Sequence, residues 1–172
     1  MKNLSRRDFL RLSGAAVLAV GMTGALSGCD ENHSSATMTG KPFGTEIPVE
    51  DCIVTFLCVR GTRSAEKGGL VQEVELSVKN TGEEELTLNK SDFAVYVNQG
   101  KKLEINSVYS YDDEAGVIKK APLECEAGET LYIYIGLRDQ IHVNDYKKLQ
   151  ALVTIGETTV SAVTSEIELG AG

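Results

Sequence analysis

The sequence has few of the side chains from which enzyme sites are usually built. Its 172 residues include two histidines and no tryptophan. His33 lies in a polar stretch and His142 in a polar loop, and neither is accompanied by a recognisable base, nucleophile or zinc ligand set. We therefore predict a protein without enzymatic activity, cofactor or metal site. The lack of tryptophan also removes an aromatic platform that carbohydrate-binding proteins commonly use.

No apolar run is long enough to span a bilayer. About 18 or more apolar residues are needed, whereas residues 12–26 form a run of fifteen that glycines interrupt. The preceding residues 5–11 read Ser-Arg-Arg-Asp-Phe-Leu-Arg and resemble the twin-arginine export signal S-R-R-x-F-L-K, with arginine in place of lysine. Weakly hydrophobic runs of this kind are typical of that route. The resemblance assigns the export signal to Arg6, Arg7, Phe9 and Leu10.

A lipidation motif follows the apolar run directly. Residues 26–29 read Leu-Ser-Gly-Cys and resemble a lipobox, in which a small residue precedes the cysteine that becomes the lipidated N-terminus. The resemblance implies that residues 1–28 are a twin-arginine lipoprotein signal peptide and that Cys29 carries the lipid. Each buried acyl methylene contributes about 0.8 kcal/mol, so a two- or three-chain anchor holds stably. We expect a lipid anchor on the extracytoplasmic face of the cell membrane, with the leaflet left open.

Basic residues are outnumbered by acidic ones. The chain has a net charge of −8, and removal of residues 1–28 leaves 13 basic against 24 acidic residues. Binding to a phosphate backbone depends on clustered basic side chains, so we predict no nucleic-acid partner. The acidic surface suits a soluble exterior, although a cationic partner or divalent ions would also tolerate it.

The mature chain divides into a tether and one domain. Residues 29–47 are mostly polar and small and show no apolar period, so we predict a lipid anchor followed by a flexible tether. Residues 48–172 are sufficient for one hydrophobic core and too few for two ordinary domains.

Alternation of apolar and polar residues predicts strands throughout that domain. Residues 70–79, 131–137 and 149–155 alternate in this way, and residues 52–59 are apolar on both faces. Turn residues separate these runs, and no window shows a sustained helical period. We predict an all-β, immunoglobulin-like β-sandwich of about eight or nine strands.

Part of the domain resembles a known family. Residues 74–82 read V-E-L-S-V-K-N-T-G and residues 86–93 read L-T-L-N-K-S-D-F. The pairing of V-x-N-T-G with L-x-L-x-x-x-D-F resembles a domain-of-unknown-function family of bacterial lipoproteins with a telokin-like, immunoglobulin-type fold. Ala127 stands where that family has a proline before a later apolar strand. The resemblance spans roughly residues 50–160; it implies the fold and no activity.

Two groups of polar residues are candidates for a site. Tyr132 and Tyr134 project from one face of their strand, and this face is either a binding surface or a cover for the sheet. Their candidate neighbours are Tyr96, Tyr109 and Tyr111. Asp112, Asp113 and Glu114 offer hard oxygens for calcium but lack the spaced alternation of a calcium loop, so they are weak metal candidates.

Three cysteines remain in the mature domain. Cys52 and Cys58 lie roughly 20 Å apart along one predicted strand, whereas bridging requires Cα atoms within about 7 Å. Either can pair with Cys125 in an oxidising medium, and a wholly reduced set stays open. The strand order implied by the immunoglobulin-type resemblance brings Cys58 and Cys125 to the end marked by Leu70, so it favours a Cys58–Cys125 disulfide.

These features predict an exported, lipid-anchored envelope protein with a non-catalytic recognition or accessory domain. Its expected partners are the membrane, through the lipid on Cys29, and an unidentified protein or small ligand. The second interpretation is an accessory subunit of a membrane redox or transport complex, because the twin-arginine route exports folded proteins. An enzyme is the least supported interpretation.

Overall fold

The computed structural model of the protein is built almost entirely from β-strands. It describes residues 38–62, 69–98, 100–112, 115–142 and 148–164, without the side chains of residues 139 and 140. These residues form thirteen strands and one 3-10 helix, η1, at Lys90–Asp92. The strands are β1 Lys41–Pro42, β2 Glu46–Val49, β3 Cys52–Thr62, β4 Leu70–Asn80, β5 Leu86–Leu88, β6 Phe93–Val97, β7 Lys101–Lys102, β8 Ile105–Asp112, β9 Val117–Lys120, β10 Leu123–Cys125, β11 Thr130–His142, β12 Leu149–Ile155 and β13 Thr158–Thr164.

Two large sheets pack on a common core. Sheet A has the strand order β1-β13-β12-β6-β7, sheet B has the order β2-β3-β4-β11-β8-β9, and β5 and β10 form a separate antiparallel pair. The predicted all-β sandwich is confirmed, but the number of strands exceeds the predicted eight or nine. β1, β5, β7 and β10 are two or three residues long. Such short strands cannot display the two-residue period on which the prediction relied.

Inward-facing side chains of both sheets form the core. In β11 of sheet B, Ile133 and Ile135 are fully buried, and in β12 of sheet A, Ala151 and Val153 are fully buried. Burying a Val, Leu, Ile or Phe side chain contributes about 1.5–3 kcal/mol, so this cluster is the main source of stability. The alternate residues of the same strands therefore point outward, and on β11 these are tyrosines.

Asn80 organises the turn that follows β4. It is buried, and its Nδ2 group donates to the carbonyl oxygens of Glu84 at 2.8 Å and Cys125 at 2.9 Å. Its Oδ1 atom accepts a hydrogen bond from the Gly82 N–H at 3.0 Å. At Gly82, a Cβ would lie 2.9 Å from the Asp51 Cβ, so a larger residue would crowd this turn. Turn geometry thus accounts for the Asn-Thr-Gly motif.

The sandwich begins before the predicted boundary at residue 48. β1 pairs with β13 and β2 pairs with β3, so residues 38–47 belong to the domain. The Thr39 carbonyl oxygen accepts hydrogen bonds from Gln150 Nε2 at 2.6 Å and Ser161 Oγ at 3.0 Å. The prediction that the tether extends to residue 47 is therefore wrong. It failed because these strands expose most of their side chains, which gives them the composition of a linker.

Candidate functional site

The outer face of sheet B carries four tyrosines. Tyr132 and Tyr134 alternate with the buried isoleucines of β11 and point outward. Tyr109 of β8 pairs with Tyr134, and the same antiparallel register places Tyr111 opposite Tyr132. Residues directly opposite on neighbouring strands lie on one face. We term Tyr109, Tyr111, Tyr132 and Tyr134 the tyrosine face.

The structure places two of the three predicted neighbours beside Tyr132 and Tyr134. It brings Tyr109 and Tyr111 to them but places Tyr96 on β6 of sheet A, where it pairs with Gln150. The sequence could not distinguish these cases, because all the strands show similar alternation and the order of strands in a sheet is set by long-range pairing.

The tyrosine face has an exposed row and a half-buried row. Tyr111 and Tyr132 are 50% and 53% exposed, and the exposed Ile118 of β9 lies directly opposite Tyr111. Tyr109 and Tyr134 are half-buried, and their rings stack with centroids 5.3 Å apart and planes inclined by 22°. The exposed row therefore offers unusually large apolar side chains to solvent, next to a row that is packed in place.

An ion pair supports the half-buried row. Arg60 Nε of β3 lies 2.5 Å from Glu75 Oε2 of β4, and the guanidinium carbon lies 5.4 Å from the centre of the Tyr134 ring. Glu75 is only 7% exposed. The hydrogen bond to Glu75 raises the pKa of Arg60, so this arginine stays charged and contacts both the carboxylate and the electron-rich ring face.

Tyr109 is held as a neutral phenol. Its hydroxyl donates a hydrogen bond to Glu73 Oε1. Burial, followed by this hydrogen bond to a carboxylate, raises the pKa of Tyr109 well above its ordinary range. A phenol that keeps its proton this firmly contributes shape and a polar hydroxyl to a surface rather than acting as a base.

Sequence reasoning missed Arg60, Glu73 and Glu75 as parts of the site. Glu73 and Glu75 were visible as the polar residues that alternate along β4. Their position beside the tyrosines depends on the register of β4 with β11, where Glu75 pairs with Tyr134 and Glu73 with Gly136. That register follows from the folded topology and has no local sequence signal.

The cysteines do not follow the predicted pairing. Cys125 lies at the Asn80 end of β4, its Sγ atom 3.8 Å from the Val78 carbonyl oxygen, whereas Cys58 pairs with Glu75 in the middle of that strand. Cys125 is fully buried, and the Cys58 Sγ lies 3.3 Å from Glu75 Oε2 beside Arg60. All three thiols are free, so the predicted Cys58–Cys125 disulfide is wrong. The error arose from placing Cys125 at the Leu70 end of β4.

The remaining candidates show no assembled site. Asp112 accepts a hydrogen bond from the Ala115 N–H at 3.0 Å and pairs with Lys119 at 3.0 Å. His142 ends β11 opposite Leu70. The part of the chain that the structure describes contains no group of three or more metal-ligating side chains. Asp113, Glu114 and His33 lie outside the described residues.

The targeting residues also lie outside the described part of the chain. They are Arg6, Arg7, Phe9, Leu10 and Cys29. Within residues 38–164, apart from the undescribed gaps, no helix has the length and apolar character needed to span a membrane.

Part of the domain matches a known family model. Residues 44–123 match the family model of a domain of unknown function, DUF4352. The match begins just before β2 and ends at the first residue of β10, so it includes Asn80, Arg60 and the Tyr109–Tyr111 half of the tyrosine face. The description of this family names no activity. No curated protein matches the sequence.

Three solved bacterial structures are similar to the domain. An uncharacterized β-sandwich protein from Clostridium difficile 630 is 16% identical, with a TM-score of 0.49, over 73% of this chain and 95% of its own. The yjhA protein from Bacillus subtilis is 12% identical, with a TM-score of 0.41, over 66% of this chain and 79% of its own. A proposed lipoprotein (ycdA) from Bacillus subtilis subsp. subtilis str. 168 is 16% identical, with a TM-score of 0.38, over 72% of this chain and 39% of its own.

Proposed function

We propose that the protein is an exported, lipid-anchored component of the cell envelope whose β-sandwich binds a protein partner through the tyrosine face. The observation that carries the binding proposal is the half-exposure of Tyr111 and Tyr132 on a face that holds four tyrosines. Tyrosine is enriched at protein interfaces because its ring supplies apolar area, its hydroxyl supplies polar contacts, and few rotamers are lost on binding.

The shape of this face favours a macromolecular partner. Small ligands bind in concave pockets that bury most of their surface, whereas the tyrosine face spans adjacent strands β8 and β11 of one sheet. Arg60 and Glu73 hold Tyr134 and Tyr109 before any partner arrives. A surface that is already ordered loses less conformational entropy on binding, which raises affinity.

The first described residues of the chain lie away from this face. Thr39 is bonded to Gln150 and Ser161, whose neighbours Ala151 and Ala162 are buried, so the chain crosses the outer face of sheet A. The first described residues therefore lie over sheet A and do not cover the tyrosine face on sheet B.

The binding proposal is tested by capture from intact membranes. The protein is chemically crosslinked in place and purified as wild type, as the double variant Tyr111→Ser with Tyr132→Ser, and as the matched variant Tyr96→Ser on sheet A. We expect wild type and Tyr96→Ser to recover the same partner and the double variant to lose it. Equal recovery by the folded double variant would refute the tyrosine face as the binding surface.

The location is tested separately from the binding. Cys29→Ala should yield an unacylated protein that no longer partitions with membranes, and Arg6→Lys with Arg7→Lys should stop export. The measurements are acyl labelling and fractionation. Recovery of the Cys29→Ala protein with the membrane, with export intact and the signal peptide cleaved, would discredit the anchor.

A further inference from the structure

A second surface feature lies where the chain passes from sheet A to sheet B. An open groove of about 720 Å³ is bordered by η1, β6, β7 and the first residue of β8. Small-molecule sites in proteins commonly have volumes of roughly 300–1,000 Å³. The groove therefore has the size of a ligand site, and its lining residues differ in chemistry from the tyrosine face.

The floor of the groove is apolar. It is formed by Phe93 and Leu103, both members of the buried core, and by the half-buried Ile105. The Leu103 N–H donates to the Val95 carbonyl oxygen at 2.8 Å, which fixes this part of the floor against β6. Ile105 keeps part of its side chain exposed, and an apolar body that covers it would remove that surface from water, which is favourable.

The rim of the groove carries positive charge. The Lys90 Nζ donates to the Asn106 carbonyl oxygen at 3.0 Å, which positions the ammonium while leaving two of its three N–H donors available. Lys102 is exposed on β7 and lies on the same groove. Both lysines line one groove in a domain whose mature sequence has nearly twice as many acidic as basic residues.

The carboxylate of the groove is already paired. Glu104 Oε1 accepts a hydrogen bond from Arg138 Nη1 at 2.6 Å, and the Glu104 carbonyl oxygen accepts one from the Arg138 N–H at 2.9 Å. This contact offsets the negative charge of Glu104. The groove therefore presents two ammonium groups beside an apolar floor.

We propose that this lysine groove, formed by Lys90, Lys102, Phe93, Leu103 and Ile105, binds a small organic anion with an apolar body, such as a medium-chain carboxylate. The ligand's carboxylate lies between Lys90 and Lys102, where it accepts charge-assisted hydrogen bonds. Its apolar body lies on the apolar floor of the groove. The groove shares no residue with the tyrosine face or with the lipidation motif.

The test is calorimetric titration of the purified protein with sodium decanoate below its micellar concentration, with decanol as the uncharged ligand of equal length. The groove variant is Lys90→Gln with Lys102→Gln. Its matched control is Lys119→Gln with Lys120→Gln on β9, which makes the same change in net charge. Circular dichroism establishes that each variant is folded.

We expect wild type and the β9 control to bind decanoate equally and the groove variant to bind it about tenfold more weakly, as loss of a charge-assisted hydrogen bond implies. Decanol should bind weakly to all three. Amide chemical shifts in wild type should change around Phe93–Ile105 on adding decanoate. Absence of saturable binding, equal weakening in the β9 control, or shifts confined to other residues would each overturn the proposal.

Discussion

Arg60 lies with its Nε atom 2.5 Å from Glu75 Oε2 and its guanidinium over the ring of Tyr134, so one side chain of β3 contacts both β4 and β11. Glu75 also lies 3.3 Å from the Cys58 Sγ. The Glu75 carboxylate is nearly buried although it lies on the outer face of a sheet, where polar side chains are usually exposed to solvent. This contact supports the half-buried row of the tyrosine face.

The Arg60–Glu75 pair predicts a non-additive effect on stability. Arg60→Met leaves a nearly buried carboxylate without its ionic partner and should cost about 1–3 kcal/mol of the free energy of unfolding. The Arg60 side chain is 43% exposed, so water replaces part of the lost contact and favours the lower end of this range.

The double variant Arg60→Met with Glu75→Met should recover most of that loss, because no charge remains buried. Urea unfolding of wild type, both single variants and the double variant measures the coupling. Strictly additive losses would show that the two side chains contribute independently.

Asn80 predicts a larger loss of stability than an exposed asparagine. Asn80→Ala removes two donated hydrogen bonds and one accepted bond at a buried position, each worth about 1 kcal/mol, and leaves the Cys125 carbonyl oxygen without this donor. We expect a loss of about 2–4 kcal/mol. Asn106→Ala, at an exposed position on β8, is the matched control. Similar melting temperatures for the two variants would contradict the role given to Asn80.

The sequence predicted which side chains face the core better than it predicted which strands are neighbours. The alternation at residues 131–135 correctly separates buried Ile133 and Ile135 from outward Tyr132 and Tyr134, because the strand period acts locally. The pairing of Tyr134 with Tyr109, 25 positions earlier, depends on which strands become neighbours. The same dependence explains why Arg60 was missed and why Cys125 was assigned to the wrong end of β4.

Stability should fall in alkaline solution. Burial raises the pKa values of the Cys52, Cys58 and Cys125 thiols above the ordinary value of 9.0. Burial and the Glu73 hydrogen bond raise the pKa of Tyr109 above 10.0. The folded state therefore holds these protons more tightly than the unfolded state. The contribution of these protonated groups to the free energy of unfolding is fully present below about pH 9. It is lost as the pH rises through the folded-state pKa values.

Urea midpoints measured from about pH 8 to about pH 10.5 should decline, because the unfolded thiols and phenol lose their protons first. Tyr109→Phe should make the decline shallower at the upper end of this range. A midpoint that stays constant or rises above pH 9 would contradict the assigned shifts.

The central claim is that Tyr111 and Tyr132 contact a protein partner, and site-specific photocrosslinking in intact cells tests it most directly. A photoreactive phenylalanine analogue is placed singly at Tyr111, at Tyr132 and, as the matched control on sheet A, at Tyr96. The tyrosine-face proposal predicts one discrete protein adduct, the same from positions 111 and 132, and none from position 96. Adducts of equal yield at all three positions, or an adduct at position 96 alone, would contradict it.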